Sequence, residues 1–133
     1  MEAEQYILVV DDDQPNREML AESLRQAGYH VDLANSGAEA IERGGQREYD
    51  TVFSDIKMPS VSGLDVLASF RATSPETPVV LLTAFGSVGT AIQAMKQGAF
   101  DYITKPINLD EVVLIAQRAV DHCKLVREHR HLQ

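Results

Sequence analysis

Short apolar runs alternate along the chain with stretches whose apolar residues recur every three or four positions. Tyr6-Ile7-Leu8-Val9-Val10 is apolar throughout, as expected of a strand covered on both faces. Pro15 suits the first turn of a helix that carries Met19, Leu20 and Leu24 and ends at Gly28. Tyr29 to Ala34 alternates and predicts a second strand, nearer a sheet edge. Ser36 and Glu39 have capping-box spacing and open a short helix expected to stop at Gly44-Gly45. A third strand reads Thr51-Val52-Phe53-Ser54-Asp55, and Ser62-Gly63-Leu64-Asp65 opens the next helix. Pro78 to Thr83 is the most hydrophobic run and is expected to be central. After Gly86 a helix passes through Ile92 and Met95 to Gly98. Ala99 to Thr104 is the fifth strand, and Asn108 with Glu111 caps a last helix.

Five strand–helix units in a row predict an α/β fold, a doubly wound parallel sheet with helices on both faces, because right-handed crossovers leave few other solutions. In such sheets the functional crevice lies at the carboxyl ends of the strands. The chain's 133 residues suffice for one domain with a core of its own. Its 12 basic and 20 acidic residues give a net charge of −8, which argues against direct nucleic-acid contact, since phosphate backbones require basic faces. Cys123 is the only cysteine, so no internal disulfide can form and a reducing, cytoplasmic setting is expected. No apolar run is long enough for a membrane span, and the acidic start Met1-Glu2-Ala3-Glu4 does not resemble a signal peptide.

The chemistry gathers at the strand ends. The first strand ends in Asp11-Asp12-Asp13, the third in Asp55, the fourth in Thr83-Ala84 and the fifth in Lys105-Pro106. Each of these has an ordinary reading alone, as a helix cap, a turn residue or a solvated lysine; together the fold lays them along one edge. Carboxylates from neighbouring strand ends repel by about 4 kcal/mol per pair at a protein surface. A cluster of hard oxygens of this kind invites a small divalent cation, most naturally Mg²⁺. Magnesium binds few protein carboxylates and leaves positions for phosphoryl oxygens, which an ammonium (Lys105) and a hydroxyl (Thr83) can also grip. Asp55 stands apart from the metal-gathering triplet and is the best candidate nucleophile.

Val9-Val10-Asp11-Asp12, Asp55-Ile56-Lys57-Met58-Pro59, Thr83-Ala84 and Lys105-Pro106 resemble, in order and spacing, the motifs of response-regulator receiver domains of two-component signalling. The resemblance covers about Gln5 to His122. It implies a flavodoxin-like five-stranded sheet of order 2-1-3-4-5 with five helices, and a regulatory phosphoacceptor rather than a turnover enzyme. Asp55 would accept a phosphoryl group from a sensor histidine kinase. Asp11, Asp12, Asp55 and the backbone carbonyl of Lys57 would hold Mg²⁺. Thr83 would be the switch hydroxyl and Tyr102 its aromatic partner, while Lys105 would pair with the phosphoryl group and precede a cis peptide to Pro106. Lys57 and Phe85, two residues past the acceptor and past Thr83, stand where side chains can obstruct attacking water. Thr83 to Gly86 and Gly98 to Pro106 are most similar to receivers of the nitrogen-regulatory class. Those precede an ATPase domain that activates sigma-54 polymerase and a DNA-binding helix-turn-helix, neither present in this sequence.

Three rival readings fit less well. A stand-alone receiver would act through protein contacts only. An aspartyl phosphatase should carry an acid where Lys57 stands, and a flavin or nucleotide module needs a phosphate loop where three aspartates would repel phosphate. Asp13 is read as a cap, Cys123 as a small core residue, and His30, His122, His129 and His131 as surface residues. Leu109, Val112, Ala116, Ala119, Cys123 and Val126 follow the alternating steps of a coiled-coil seam, although some positions in the first half of the helix also pack on the sheet. Residues 5–122 are therefore expected to form the receiver, and 123–133 a helical extension that supports a homodimer and leads into an output domain.

Overall fold

A computed structural model describes residues 4–84 and 88–132, the last two by backbone only. Strands β1 (Tyr6–Val10), β2 (His30–Ala34), β3 (Thr51–Asp55), β4 (Val79–Thr83) and β5 (Asp101–Thr104) alternate with helices α1 (Gln14–Gln26), α2 (Gly37–Gln46), α3 (Gly63–Thr73), α4 (Val88–Lys96) and α5 (Leu109–Leu132). All neighbouring strands are parallel, in the order β2-β1-β3-β4-β5. Alternate residues of each strand feed opposite faces. Ile7, Val9, Phe53, Val80 and Leu82 pack under α1 and α5, while Leu8, Val10, Val52 and Leu81 pack under α2, α3 and α4. The expected flavodoxin-like, doubly wound sheet is thus the observed one.

Several local expectations are revised. The central strand is β3, not the more hydrophobic β4. Strand β4 reads as apolar because it is buried along its whole length although only β5 separates it from the sheet edge. Helix α2 runs through Gly44-Gly45 to Gln46. Gly44 serves packing rather than termination, since a Cβ there would meet the Phe70 ring of α3 at 2.7 Å. The Ser36 hydroxyl accepts from Glu39 N–H, but Glu39 returns to Asn35 N–H; the reciprocal capping box is at Ser62 and Asp65.

The largest revision concerns α5. The apolar steps from Val112 through Ala116 and Ala119 to Cys123 are fully buried within the domain, so they are its sheet-facing stripe and not a free seam. Burial pushes the Cys123 thiol up to about 11, consistent with a core residue. Beyond His122 the helix stays docked: Arg127 Nη1 donates to Asp50 Oδ1 at 2.7 Å, its Nη2 donates to the Tyr49 carbonyl at 2.8 Å, and Arg130 pairs with Glu76 at 2.8 Å.

Candidate functional site

Parallel register brings the carboxyl ends of the strands level. Asp55 is opposite Leu82, and Thr83 opposite Thr104. The ladders continue one step, Ile56 N–H to Leu82 O at 3.1 Å and Lys105 N–H to Thr83 O at 2.8 Å, so the residues after β3 and β5 are placed by the sheet itself. Asp11 is fully buried at the end of β1, Asp55 and Thr83 are nearly so, and Asp12 is exposed. One carboxylate oxygen from each of Asp11, Asp12 and Asp55 lies within 4.8 Å of the others. Lys105 Nζ reaches in from the far side and donates to Asp55 Oδ2 at 2.9 Å. Asp55 Oδ1 lies 3.4 Å from the Lys57 N–H.

The cluster is electrostatically unfinished. Asp13 N–H donates to Asp11 Oδ1 at 2.9 Å, yet Asp11 Oδ2 is buried without a hydrogen-bond partner. Burial, reinforced by the Asp55 and Asp12 charges, raises the pKa of Asp11 against the opposing hydrogen bond from Asp13 and the charge of Lys105. Burial alone would lower Lys105, but its hydrogen bond and charge contact with Asp55, followed by the charges of Asp11 and Asp12, outweigh it and keep the ammonium firmly protonated. Three hard anionic oxygens, one orphaned, facing a single ammonium form a donor set that fits Mg²⁺.

Beside the cluster opens a cavity of about 370 Å³ lined by Asp55, Ile56, Lys57, Thr83, Ala84, Thr90 and Lys105. The Lys105–Pro106 peptide is cis. Asp13 caps α1, its carboxylate accepting from Asn16 N–H. Tyr102 is not brought into the cluster; it sits on the edge strand β5, 40% exposed and outside the cavity lining. Phe85 and Gly86 lie outside the described residues. His30 stacks on Tyr6 and His122 tilts against Phe100, both away from the carboxylates.

The receiver-domain family profile, described as "Response regulator receiver domain", matches residues 7–117. The chain belongs to this family. As a receiver it is 40% identical over 132 residues to Regulatory protein AtoC of Escherichia coli K12, covering 99% of this chain and 29% of AtoC. It is 36% identical over 127 residues to the DNA-binding transcriptional regulator NtrC of the same organism, covering 96% and 27% respectively. Among solved structures, NtrX from Brucella abortus superposes with a TM-score of 0.91 at 34% identity, over 98% of this receiver and 30% of NtrX. A receiver domain from Clostridium thermocellum gives 0.85 at 33% identity, over 92% and 98%. This receiver therefore spans under a third of the length of AtoC, NtrC and NtrX.

Two site residues escaped the sequence reading. Thr90 lines the cavity from the first turn of α4; crossover helices begin at the functional edge, so a hydroxyl in a first turn is the only available signal. Gly63 lies behind Asp55: its N–H donates to Ile56 O at 2.9 Å, and a Cβ there would collide with the Asp55 carbonyl. Glycine as the first residue after an N-cap is its trace in the sequence.

Proposed function

We propose that this receiver is a phosphorylation-dependent switch in which Asp55 is the phosphoacceptor. The observation that carries the reading is a nearly buried carboxylate with Lys105 at 2.9 Å on one side and the partly orphaned Asp11–Asp12 pair on the other. An Asp55 oxygen attacks the phosphorus of a kinase phosphohistidine; the new P–O bond forms as the P–N bond breaks, and the imidazole, already protonated on its other ring nitrogen, leaves as the neutral base. Asp11, Asp12, Asp55 and the Lys57 carbonyl would hold Mg²⁺, which when bound supplies positive charge to the transferring phosphoryl oxygens. Lys105 keeps its ammonium beside Asp55 and can follow the charge onto the phosphoryl group. Thr83, buried at the end of β4 and lining the same cavity as Asp55, would donate its hydroxyl to the product.

Rearrangement of Thr83 and outward Tyr102 then shifts an existing equilibrium of the α4–β5 region. Output lies in domains beyond this chain. By kinship with AtoC and NtrC, these are taken to be an ATPase that activates sigma-54 polymerase and a DNA-binding domain, in the cytoplasm. No helix among the described residues is long and apolar enough to cross a membrane. The receiver is assigned to residues 5–122 and the rest of α5 to a linker, although Arg127 and Arg130 tie that linker to the receiver. Homodimerisation belongs to this reading only through exposed side chains such as Leu114 and Leu125, because the a/d series is used by the core.

Incubating the chain with Mg²⁺ and acetyl phosphate tests the proposal. One acid-labile phosphoryl group located on Asp55 by mass spectrometry is expected. Labelling at another residue, or none in the presence of Mg²⁺, overturns it.

A further inference from the structure

We infer that Arg17 is a positioning residue for magnesium binding, acting on the backbone beneath the acidic cluster rather than on the carboxylates themselves. The inference rests on the phosphoacceptor reading above. Asp11 is the first residue past β1. Its N–H still reaches Ala34 O of β2 at 3.2 Å, but no backbone donor among the described residues meets its carbonyl: the next rung of the ladder would need Ser36 N–H, and Ser36 has already left β2 as the N-cap of α2. The Asp11 carbonyl is held instead by Arg17 Nη1 at 2.8 Å.

The same turn is fixed at two further points, Asp13 N–H to Asp11 Oδ1 at 2.9 Å and Arg17 N–H to Asp13 O at 3.0 Å. The plane of the peptide between Asp11 and Asp12 is therefore set from below, and that plane decides where the Asp12 side chain leaves the backbone. With it set, Asp12 falls within 4.8 Å of Asp11 and Asp55 although it is itself exposed.

A cation so near the start of α1 runs against the helix dipole, so its place there calls for a compensating partner. The guanidinium has one that costs the site nothing. Lys105 occupies an Asp55 oxygen, whereas Arg17 is bound to a carbonyl and leaves the carboxylate oxygens free as ligands. Groups hydrogen-bonded to metal ligands typically change metal affinity by about 10- to 100-fold, and Arg17, acting one step further out through the backbone, belongs at the lower end of that range.

Calorimetric titration of the whole chain with Mg²⁺ alone tests the role. Arg17→Met keeps the apolar stem and removes the donors; its Mg²⁺ dissociation constant is expected to rise about tenfold. The gain in melting temperature on adding Mg²⁺ should shrink in step. Arg17→Lys keeps one donor and should recover part of the affinity, a rescue that mere support of the helix would not produce. Unchanged affinity in Arg17→Met, or no recovery in Arg17→Lys, overturns the inference. Should Arg17→Met fail to fold, Arg17→Gln, whose amide is too short to reach the carbonyl, is read in its place against the same tenfold expectation. A wild-type chain that binds no Mg²⁺ in the same titration refutes the phosphoacceptor reading itself, a result distinct from any difference between variants.

Discussion

The two ends of β3 carry the same residue type in opposite circumstances. At the start, Asp50 is fully engaged: Oδ2 accepts from Tyr6 N–H at 2.8 Å and Oδ1 from Arg127 at 2.7 Å. Its neighbour Tyr49 is equally satisfied. The Tyr49 carbonyl accepts from Arg127 and from the Thr77 hydroxyl, and its phenol donates to Asp32 at 2.7 Å. At the finish, Asp55 shares a crowded site with Asp11 and Asp12, one ammonium serves all three, and a buried Asp11 oxygen has no partner. Buried polar groups stabilise when paired and destabilise when not. The closed end, although the Arg127 Nε is buried there without a partner, holds the sheet together, and the open end stores a repulsion that a bound cation would relieve.

The contrast can be broken most severely at the open end. Asp55→Asn is nearly isosteric but a poor nucleophile, so acid-labile phosphate uptake should fall to background while the melting temperature stays within a few degrees of wild type. Uptake at the wild-type rate would show that Asp55 is not the acceptor. At the closed end the effect should be on folding. Arg127→Met leaves Asp50 and the Tyr49 carbonyl short of a partner and should cost about 2–3 kcal/mol, near 10 °C in a thermal melt. A loss below about 0.5 kcal/mol would mean the ion pair is ornamental.

Smaller effects with the opposite sign are expected among the aspartates. Asp12→Ala relieves repulsion, so the metal-free variant should be more stable than metal-free wild type, by about 1 kcal/mol given the exposure of Asp12. Added Mg²⁺ should stabilise it less. Melts in EDTA and in Mg²⁺ decide this; a less stable metal-free variant with an unchanged Mg²⁺ response would make Asp12 structural. The subtlest test is of pH. Because the Asp11 pKa is raised on folding, its ionised form costs stability above the folded pKa. In EDTA, Asp11→Asn should therefore gain over wild type at neutral pH, and the gain should fade as pH drops through that raised pKa towards 3.8, where wild-type Asp11 neutralises itself. A gain that grows on acidification would reverse the assignment.

Much of the open end was legible in the sequence, because an apolar run followed by an acid locates a strand and its end together. Thr51 to Asp55 is an example: both bounds of β3 coincide with the sequence reading. The closed end was not legible, since Asp50 and Arg127 are 77 residues apart and neither carries a local motif. The last helix misled for a different reason. A stripe facing a sheet and a coiled-coil seam share steps of three and four, and only the tertiary packing of Val112 to Cys123 separates them. Gly44 was ambiguous in the same way, because a glycine that ends a helix and one that admits the Phe70 ring look alike in sequence.

Gly63 gives the acceptor a preferred direction. With α3 seated against the backbone at Asp55 and Ile56 too closely to admit even a methyl group, the strand end has a wall behind it. In front lies the cavity bounded by Thr83, Ala84 and Thr90. Bulk added to Asp55 therefore meets a wall behind the strand end and open space ahead of it. On the phosphoacceptor reading, a phosphoryl group on Asp55 would bear on β4 and the head of α4 and not on α3.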